Sequence, residues 1–530
     1  MVVSEHPEAS RAGAEVLAEG GNAVDAAIST GFALAVTHPS AGNIGGGGFM
    51  VIRFPDGTTT ALDFREKAPV AAHPEMWLEE GEYSATRHHF SHWAVGVPGT
   101  VAGFERAARL YGSREWSRLV EPAVTLAQEG FQLTEGLAAS LASVIRRYEE
   151  YPATVAAFSR SGTPYEAGET LRQPDLARTL ARIRDRGAED FYRGETARLI
   201  AAEMERGGGL ITLADLARYQ ARERSPVTVD YRNHRVISMA PPSSGGVAIA
   251  TMLNILEGFD VGSMEHNSPE YLHLLAEAMR RAFRDRAEYL ADPDFVDVPV
   301  HALTSAGHAA ALRSTINLER ASDSSPLDVV EPAESLETTH YSVVDASGMA
   351  VSVTYTLEAG YGSGIVVPGA GFLLNNEMGD FNAGPGLTDD RGLIGTDPNL
   401  ARPEQRMLSS MSPSIVERDG RLLAVVGSPG GRTIINTVLQ LILNLTDFGM
   451  DLPTAVAAPR IHHQWLPDRI VMEEEGADSE LVAALEALGH DVRVRGRQGL
   501  AHSILVDSAT GELVGQPDVR NPDSGAAGVR

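Results

Sequence analysis

The chain contains no cysteine, which excludes disulfides, thiolate metal sites and a cysteine nucleophile and leaves the redox compartment unreadable. It has no run of about 18 uninterrupted apolar residues, so no stretch of it is built to cross a membrane as a helix. Basic residues are scarce: 44 Lys and Arg stand against 71 Asp and Glu, a formal net charge of −27. Such a chain is soluble and a poor partner for nucleic-acid phosphates. It offers no general attraction to an acidic small molecule either, so a substrate carboxylate would need local cations. The opening residues, Met1-Val2-Val3-Ser4-Glu5, lack the basic and apolar segments of a secretory signal. The expectation is a cytoplasmic chain or the mature part of an exported one. Internal repeats, low-complexity tracts and long linkers are also missing.

What is present is a large core's worth of apolar sequence, 43% hydrophobic with 22% charged over 530 residues. Length alone suggests domains of about 150 residues each, although a large layered sheet can hold as much in one unit. Pro7 to Val36 predicts two helices broken at Glu19-Gly20-Gly21-Asn22, the second carrying Val24, Ala27, Ile28 and Ala35 on one face. Four glycines, Gly45 to Gly48, suit either a phosphate cradle or a close backbone approach. No Gly-Lys-Ser/Thr follows them, which weighs against phosphate. Strands at Phe49–Phe54 and Thr58–Phe64 then deliver Asp63-Phe64-Arg65-Glu66. His88, His89 and His92 lack further ligands at a helical offset and fit surface or packing roles better than a metal site.

Between Tyr111 and Arg224 the pattern is mainly helical. A hairpin over Val227–Tyr231 and Arg235–Met239 leads into Pro241-Pro242-Ser243-Ser244-Gly245-Gly246, where Ser244 suits a helix N-cap. Ser243 is no nucleophile elbow, because Gly-x-Ser-x-Gly is absent. Ser268-Pro269 opens a helix to about Leu290. Its Arg280, Arg281, Arg284, Asp285, Arg286 and Glu288 are most simply a solvated face. From about Ala310 to Glu337 the composition turns polar and loop-like. Two β-rich runs, Tyr341–Val344 and Met349–Thr356, are joined by Asp345-Ala346-Ser347-Gly348, a hairpin turn.

The stretch Glu337-Thr338-Thr339-His340-Tyr341-Ser342-Val343-Val344-Asp345, continuing to Asn375-Asn376-Glu377-Met378-Gly379-Asp380, resembles the activation segment of the γ-glutamyltranspeptidase (glutathione hydrolase) family of N-terminal-nucleophile hydrolases. Further similar motifs follow in the same order: Asp63 to Pro69, Pro241 to Gly246, Met407 to Pro413, Gly427 to Thr433, and Pro459 to Trp465. The resemblance implies a four-layer αββα sandwich. It implies a cut before Thr338 that yields a large region, 1–337, and a small one, 338–530, sharing one core. Thr338 would be the nucleophile and its freed α-amine, titrating near pH 8, the base.

By the same resemblance Thr356 supports the nucleophile's hydroxyl, and Gly430 and Gly431 offer backbone amides to an oxyanion. Arg65, Ser409 and Ser410 would hold the substrate α-carboxylate, the guanidinium fork being suited to it. Glu377 and Asp380 would hold the α-ammonium. Three positions depart from the common pattern: Glu358 where many members carry Asn, Gly379 in place of an acid, and Arg391 where some bacterial members place a gating aromatic. The substrate implied is a small γ-glutamyl amide such as glutathione, with water or an amine as acceptor and with no cofactor and no metal. A P-loop reading of Gly427 to Thr433 fails at Val426 and Arg432. Two rivals stand beside this: an acylase for glutaryl-type side chains, and a binder of glutamyl peptides that never matures.

Overall fold

Along Ala350–Thr356 every residue is buried, a pattern that requires cover on both faces of the sheet. The computed structural model, which describes residues 1–324, 338–388, 393–507 and 510–529, supplies that cover. Val351, Val353 and Tyr355 join a core with Phe32, Val101 and Phe104. Ser352 faces the other way, and its hydroxyl donates to the Val426 carbonyl (3.1 Å) in a second sheet.

The first sheet has seven strands in the order Gly525–Ala527, Val2–Ser4, Thr339–Val344, Ala350–Thr356, Gly47–Arg53, Thr59–Asp63 and Arg222–Arg224. Every pairing in it is antiparallel. The second has six strands, ordered Leu513–Gln516, Ser503–Val506, Arg421–Val426, Ser414–Arg418, His234–Ser238 and Val227–Tyr231. Helices Pro7–Ala18, Ala23–Thr37 and Thr100–Tyr111 cover the outer face of the first sheet. Helices Gly245–Leu256, Pro269–Tyr289 and Thr433–Thr446 cover the outer face of the second. The result is the four-layer αββα sandwich. Strands from both sides of position 338 contribute to each sheet, and Glu337 and Arg391 lie outside the described residues.

Local signals set several boundaries. Asn22 and Asp25 form a reciprocal capping box that starts Ala23–Thr37. Ser268 caps Pro269–Tyr289, with Pro269 in the first turn. Gly348, at φ +84°, closes the hairpin before Ala350. Two expectations are corrected. Ala23–Thr37 is buried around its whole circumference rather than on one face, because Pro7–Ala18, Thr100–Tyr111 and Trp116–Glu129 pack against it in addition to the sheet. The charged residues of Pro269–Tyr289 are not all solvated: Arg280, Arg281 and Asp285 are buried. Glu277 joins Arg280 and Arg281 in ion pairs, and only Arg284 and Glu288 keep the exposed i,i+4 arrangement.

Candidate active site

Strand register brings the first two residues together. His340 pairs with Thr354 and Thr339 with Tyr355, so Thr338 falls opposite Thr356 on the face toward the second sheet. Thr338 Oγ1 donates to Thr356 Oγ1 at 3.4 Å, and Thr356 Oγ1 accepts the Glu358 N–H at 2.9 Å. Side-chain alternation alone leaves Ser352, Thr354 and Thr356 equivalent. The register separates them, since Thr354 is engaged with His340 Nδ1 (2.9 Å) and Ser352 with Val426. The glycine run proves to be a close approach: a Cβ on Gly46 would collide with the Thr356 carbonyl.

Gly430 and Gly431 follow Arg421–Val426 and precede Thr433–Thr446. Their φ values of +132° and +56° belong to backbone that side chains rarely adopt. Thr433 fixes the turn, its N–H and hydroxyl both donating to the Gly430 carbonyl at 3.1 and 2.7 Å. Upstream, Gly427 lies flat against the ring of His340, two residues along the strand from Thr338.

The charged half of the site centres on Arg65, which is fully buried. Its guanidinium pairs with Glu377 and Asp380 and lies 3.5 Å from Glu66. It also donates to the carbonyls of Met407 (3.4 Å) and Leu408 (3.3 Å), the residues just before Ser409. Glu377 and Asp380, assigned by resemblance to an ammonium, thus close on the cation assigned to a carboxylate. Burial outweighs Arg65 at Glu377 and raises that carboxyl well above its ordinary range. Burial pushes Glu66 up to about 8, against the same guanidinium. Burial raises Glu358 as well. Three carboxyl groups therefore gather at one guanidinium, with Glu358 close enough to act on Glu377 and to be acted on by Asp380, an environment that favours an added cation.

Ser409 accepts the Met411 N–H on its hydroxyl (3.1 Å), and its carbonyl receives both the N–H and the hydroxyl of Ser244 (2.7 and 2.6 Å). Ser244 stands at the N-cap position, but its side chain makes no cap bond. The expectation of a capping serine is therefore corrected: its hydroxyl is spent on the Ser409 carbonyl and on Arg286 (3.0 Å). Arg286 also donates to the Ser410 hydroxyl at 3.2 Å, a role the sequence pattern did not reveal.

His89 is the other residue that pattern missed. Its Nδ1 lies 3.7 Å from Glu358, and its ring fills the space a Cβ on Gly379 would need. Asn376 ties the two segments by donating to the His89 carbonyl (3.2 Å) and to the Glu358 carboxylate. The signal was present as an absent side chain at 379, but it pointed to no partner. His88 is buried with Tyr83 and the Met378 carbonyl, and His92 pairs with Glu203 at 2.9 Å.

Among the described residues, His273, Glu277 and His490 place metal-type donor atoms within 4.8 Å of one another. The donor set does not fit a cation. His273 Nε2 donates to the Asn317 carbonyl (2.8 Å), which leaves its Nδ1 to accept from His490 Nε2 (2.8 Å). Glu277 is neutralised by Arg280 and Arg281.

A family model described as Gamma-glutamyltranspeptidase matches residues 9–528. The glutathione hydrolase proenzyme of Escherichia coli (strain K12) is 47% identical over 535 residues, spanning 100% of this chain and 91% of that protein. Cephalosporin acylase from Bacillus halodurans superimposes with a TM-score of 0.87 at 28% identity, over 100% of this chain and 95% of that one. The γ-glutamyltranspeptidase of Helicobacter pylori gives a TM-score of 0.60 at 43% identity, over 61% of this chain and 93% of that one. No helix among the described residues is long and apolar enough to cross a membrane. The chain belongs to the γ-glutamyltranspeptidase family.

Proposed function

We propose that this chain is a self-processing γ-glutamyl acyltransferase and hydrolase that cleaves glutathione and related γ-glutamyl amides. The observation that carries the reading is the Thr338–Thr356 hydroxyl contact of 3.4 Å at the open end of the hairpin formed by Thr339–Val344 and Ala350–Thr356. In maturation the Thr338 hydroxyl attacks the carbonyl of the preceding residue, shifting the acyl group from nitrogen to oxygen. That shift breaks the C–N bond and frees the α-amine of Thr338; water then hydrolyses the ester, restoring the hydroxyl and leaving a carboxylate at the new C-terminus. The chain becomes a large part, 1–337, and a small part, 338–530.

In turnover that amine takes the hydroxyl proton as Thr338 Oγ1 attacks the γ-carbonyl. Thr356 orients the attacking hydroxyl, and the amides of Gly430 and Gly431 receive the oxyanion. Collapse expels the leaving amine, which takes the proton back from the Thr338 ammonium. Water or an acceptor amine then attacks the ester, loses a proton to the same base and releases glutamate or a new γ-glutamyl amide. Arg65, Ser409 and Ser410 grip the α-carboxylate, and Glu377 and Asp380, with Glu358 beside them, accept the α-ammonium. For the substrate to enter, its carboxylate and ammonium exchange partners with Arg65 and the two acids, ion for ion. Such an exchange avoids stranding a buried charge.

Intact mass of the purified protein tests the reading. It is expected to show two species, the smaller beginning at Thr338, and Thr338→Ala is expected to leave one uncut, inactive chain. Two fragments from Thr338→Ala would overturn it. The likeness to a cephalosporin acylase favours one alternative, hydrolysis of glutaryl side chains. A glutaryl group lacks the ammonium that the acid cluster calls for, so γ-glutamyl anilide is expected to be cut far faster than glutaryl anilide.

A further inference from the structure

Behind the proposed carboxylate grip lies a second charge cluster that the proposed chemistry does not use. Asp63 and Asp292 are fully buried, and Arg406 is 1% exposed. Asp63 Oδ1 accepts the main-chain N–H of Arg65 at 3.0 Å and lies 3.3 Å from Arg406 Nε. Its other oxygen accepts from Arg224 at 3.0 Å. The N–H of Arg406 donates to Asp292 at 2.8 Å. Arg224 and Arg406 both reach Asp294, at 2.8 and 3.7 Å. Two arginines and three aspartates thus stitch the end of the Thr59–Asp63 strand to the segment that runs from Arg406 into Ser409.

That arrangement differs from general packing in what it holds. One carboxylate, Asp63, touches the backbone of Arg65 and the side chain of Arg406, which stands three residues before Ser409. Arg65 itself reaches back to the Met407 and Leu408 carbonyls. The two halves of the grip therefore share one fixed reference. Arg65, Ser409 and Ser410 must meet a planar carboxylate with small angular error, and a displacement of about 1 Å in such a site can cost about 10²-fold.

We infer that Arg406, through Asp63, is a positioning residue that sets the spacing of Arg65 from Ser409 and Ser410 and so the preference for substrates bearing an α-carboxylate. The inference rests on the proposed function above. The grip acts in the ground state as well as the transition state, so its loss falls on KM more than on kcat.

The test compares γ-glutamyl anilide with 4-aminobutyryl anilide, which lacks only the α-carboxylate, on matured wild type, Arg406→Met and Arg406→Lys. Arg406→Met is expected to lower the preference for the γ-glutamyl substrate about tenfold or more, through KM, with kcat within about threefold. Arg406→Lys keeps the charge without the fork and is expected to fall between. A lowered melting temperature with unchanged preference would overturn the inference, leaving the cluster as structural cement. Should Arg406→Met fail to fold, Asp294→Asn at the more exposed edge of the cluster replaces it, with a drop of about two- to fivefold expected. An unchanged preference there would overturn the inference equally. Arg65→Met, run in parallel, separates the two claims. If it keeps the preference, the assigned grip is wrong and the inference falls with it; if it loses the preference while Arg406→Met does not, the inference alone fails.

Discussion

The two halves of the site are built from opposite materials. Around Thr338 the groups are hydroxyls and one neutral ring: Thr338 with Thr356, His340 with Thr354, and Ser342 donating to the His502 carbonyl at 2.8 Å. Burial holds His340 well below its ordinary pKa, so that half carries little charge. Around Arg65 the groups are a guanidinium and carboxyls in near contact, two of which, Glu66 and Glu377, burial holds toward their protonated form. The hydroxyl half depends on strand register, where each partner is fixed by its neighbours. The ionic half depends on mutual neutralisation, where losing one member strands the others. Register errors should therefore cost rate, and charge errors should cost stability and binding.

The largest expected effect is Thr338→Ala, which removes the proposed nucleophile and with it the proposed maturation. Activity toward γ-glutamyl anilide is expected to fall by at least about 10³-fold, with an uncut chain on a denaturing gel. Next is Arg65→Met, which leaves Glu66, Glu377 and Asp380 without their cation. The cost is expected to be about 3–5 kcal/mol in chemical denaturation, with KM raised about 10²-fold. Thr356→Val removes the acceptor of the half-buried Glu358 N–H and the partner of the Thr338 hydroxyl. A loss of about 10- to 100-fold in kcat is expected with little change in KM, and Thr356→Ser is expected to recover most of it. An effect of Thr356→Val on KM alone would erase the distinction between the halves.

Glu358→Asn bears on the boundary between the halves, since its N–H serves Thr356 and its carboxylate faces His89. The ratio of hydrolysis to transfer, measured with and without a dipeptide acceptor, is expected to shift several-fold. A ratio that does not move would remove Glu358 from acceptor choice. The smallest effect is Glu66→Gln. A carboxyl whose folded pKa is raised to about 8 holds its proton more tightly folded than unfolded. Its contribution to stability is therefore lost as pH rises from the unfolded value near 4.5 through about 8. The melting temperature of Glu66→Gln relative to wild type is expected to rise across that window and to be level below it.

Much of the architecture was legible in local pattern. The hairpin at Asp345 to Gly348, the cap at Ser268 and the break at Glu19 to Asn22 follow from turn and cap chemistry, which acts within a few residues. The residues of the candidate site were named through resemblance to the family, and their roles remain part of the proposal. What local pattern could not supply was pairing across the fold. Arg280 and Arg281 look solvated until Glu277 and the segment after Leu312 close over them. Ser244 looks like a cap until the Ser409 carbonyl competes for its hydroxyl. His89 gains meaning only once Gly379 and Glu358 meet it. Glu277 stands only three and four residues from the two arginines, but the other deciding partners lie more than 30 residues away, most of them more than a hundred, where periodicity carries no information.

The placement of the Thr339–Thr356 hairpin has a consequence for the matured protein. The hairpin sits between Val2–Ser4 on one side and Gly47–Arg53 on the other. A cut before Thr338 would therefore leave two interlocked polypeptides, neither owning an unbroken first sheet. Pulling them apart would open strand ladders on both flanks of the hairpin and bare unpaired edges that invite aggregation. Each piece made alone should be insoluble, and the precursor is the practical route to the assembled whole.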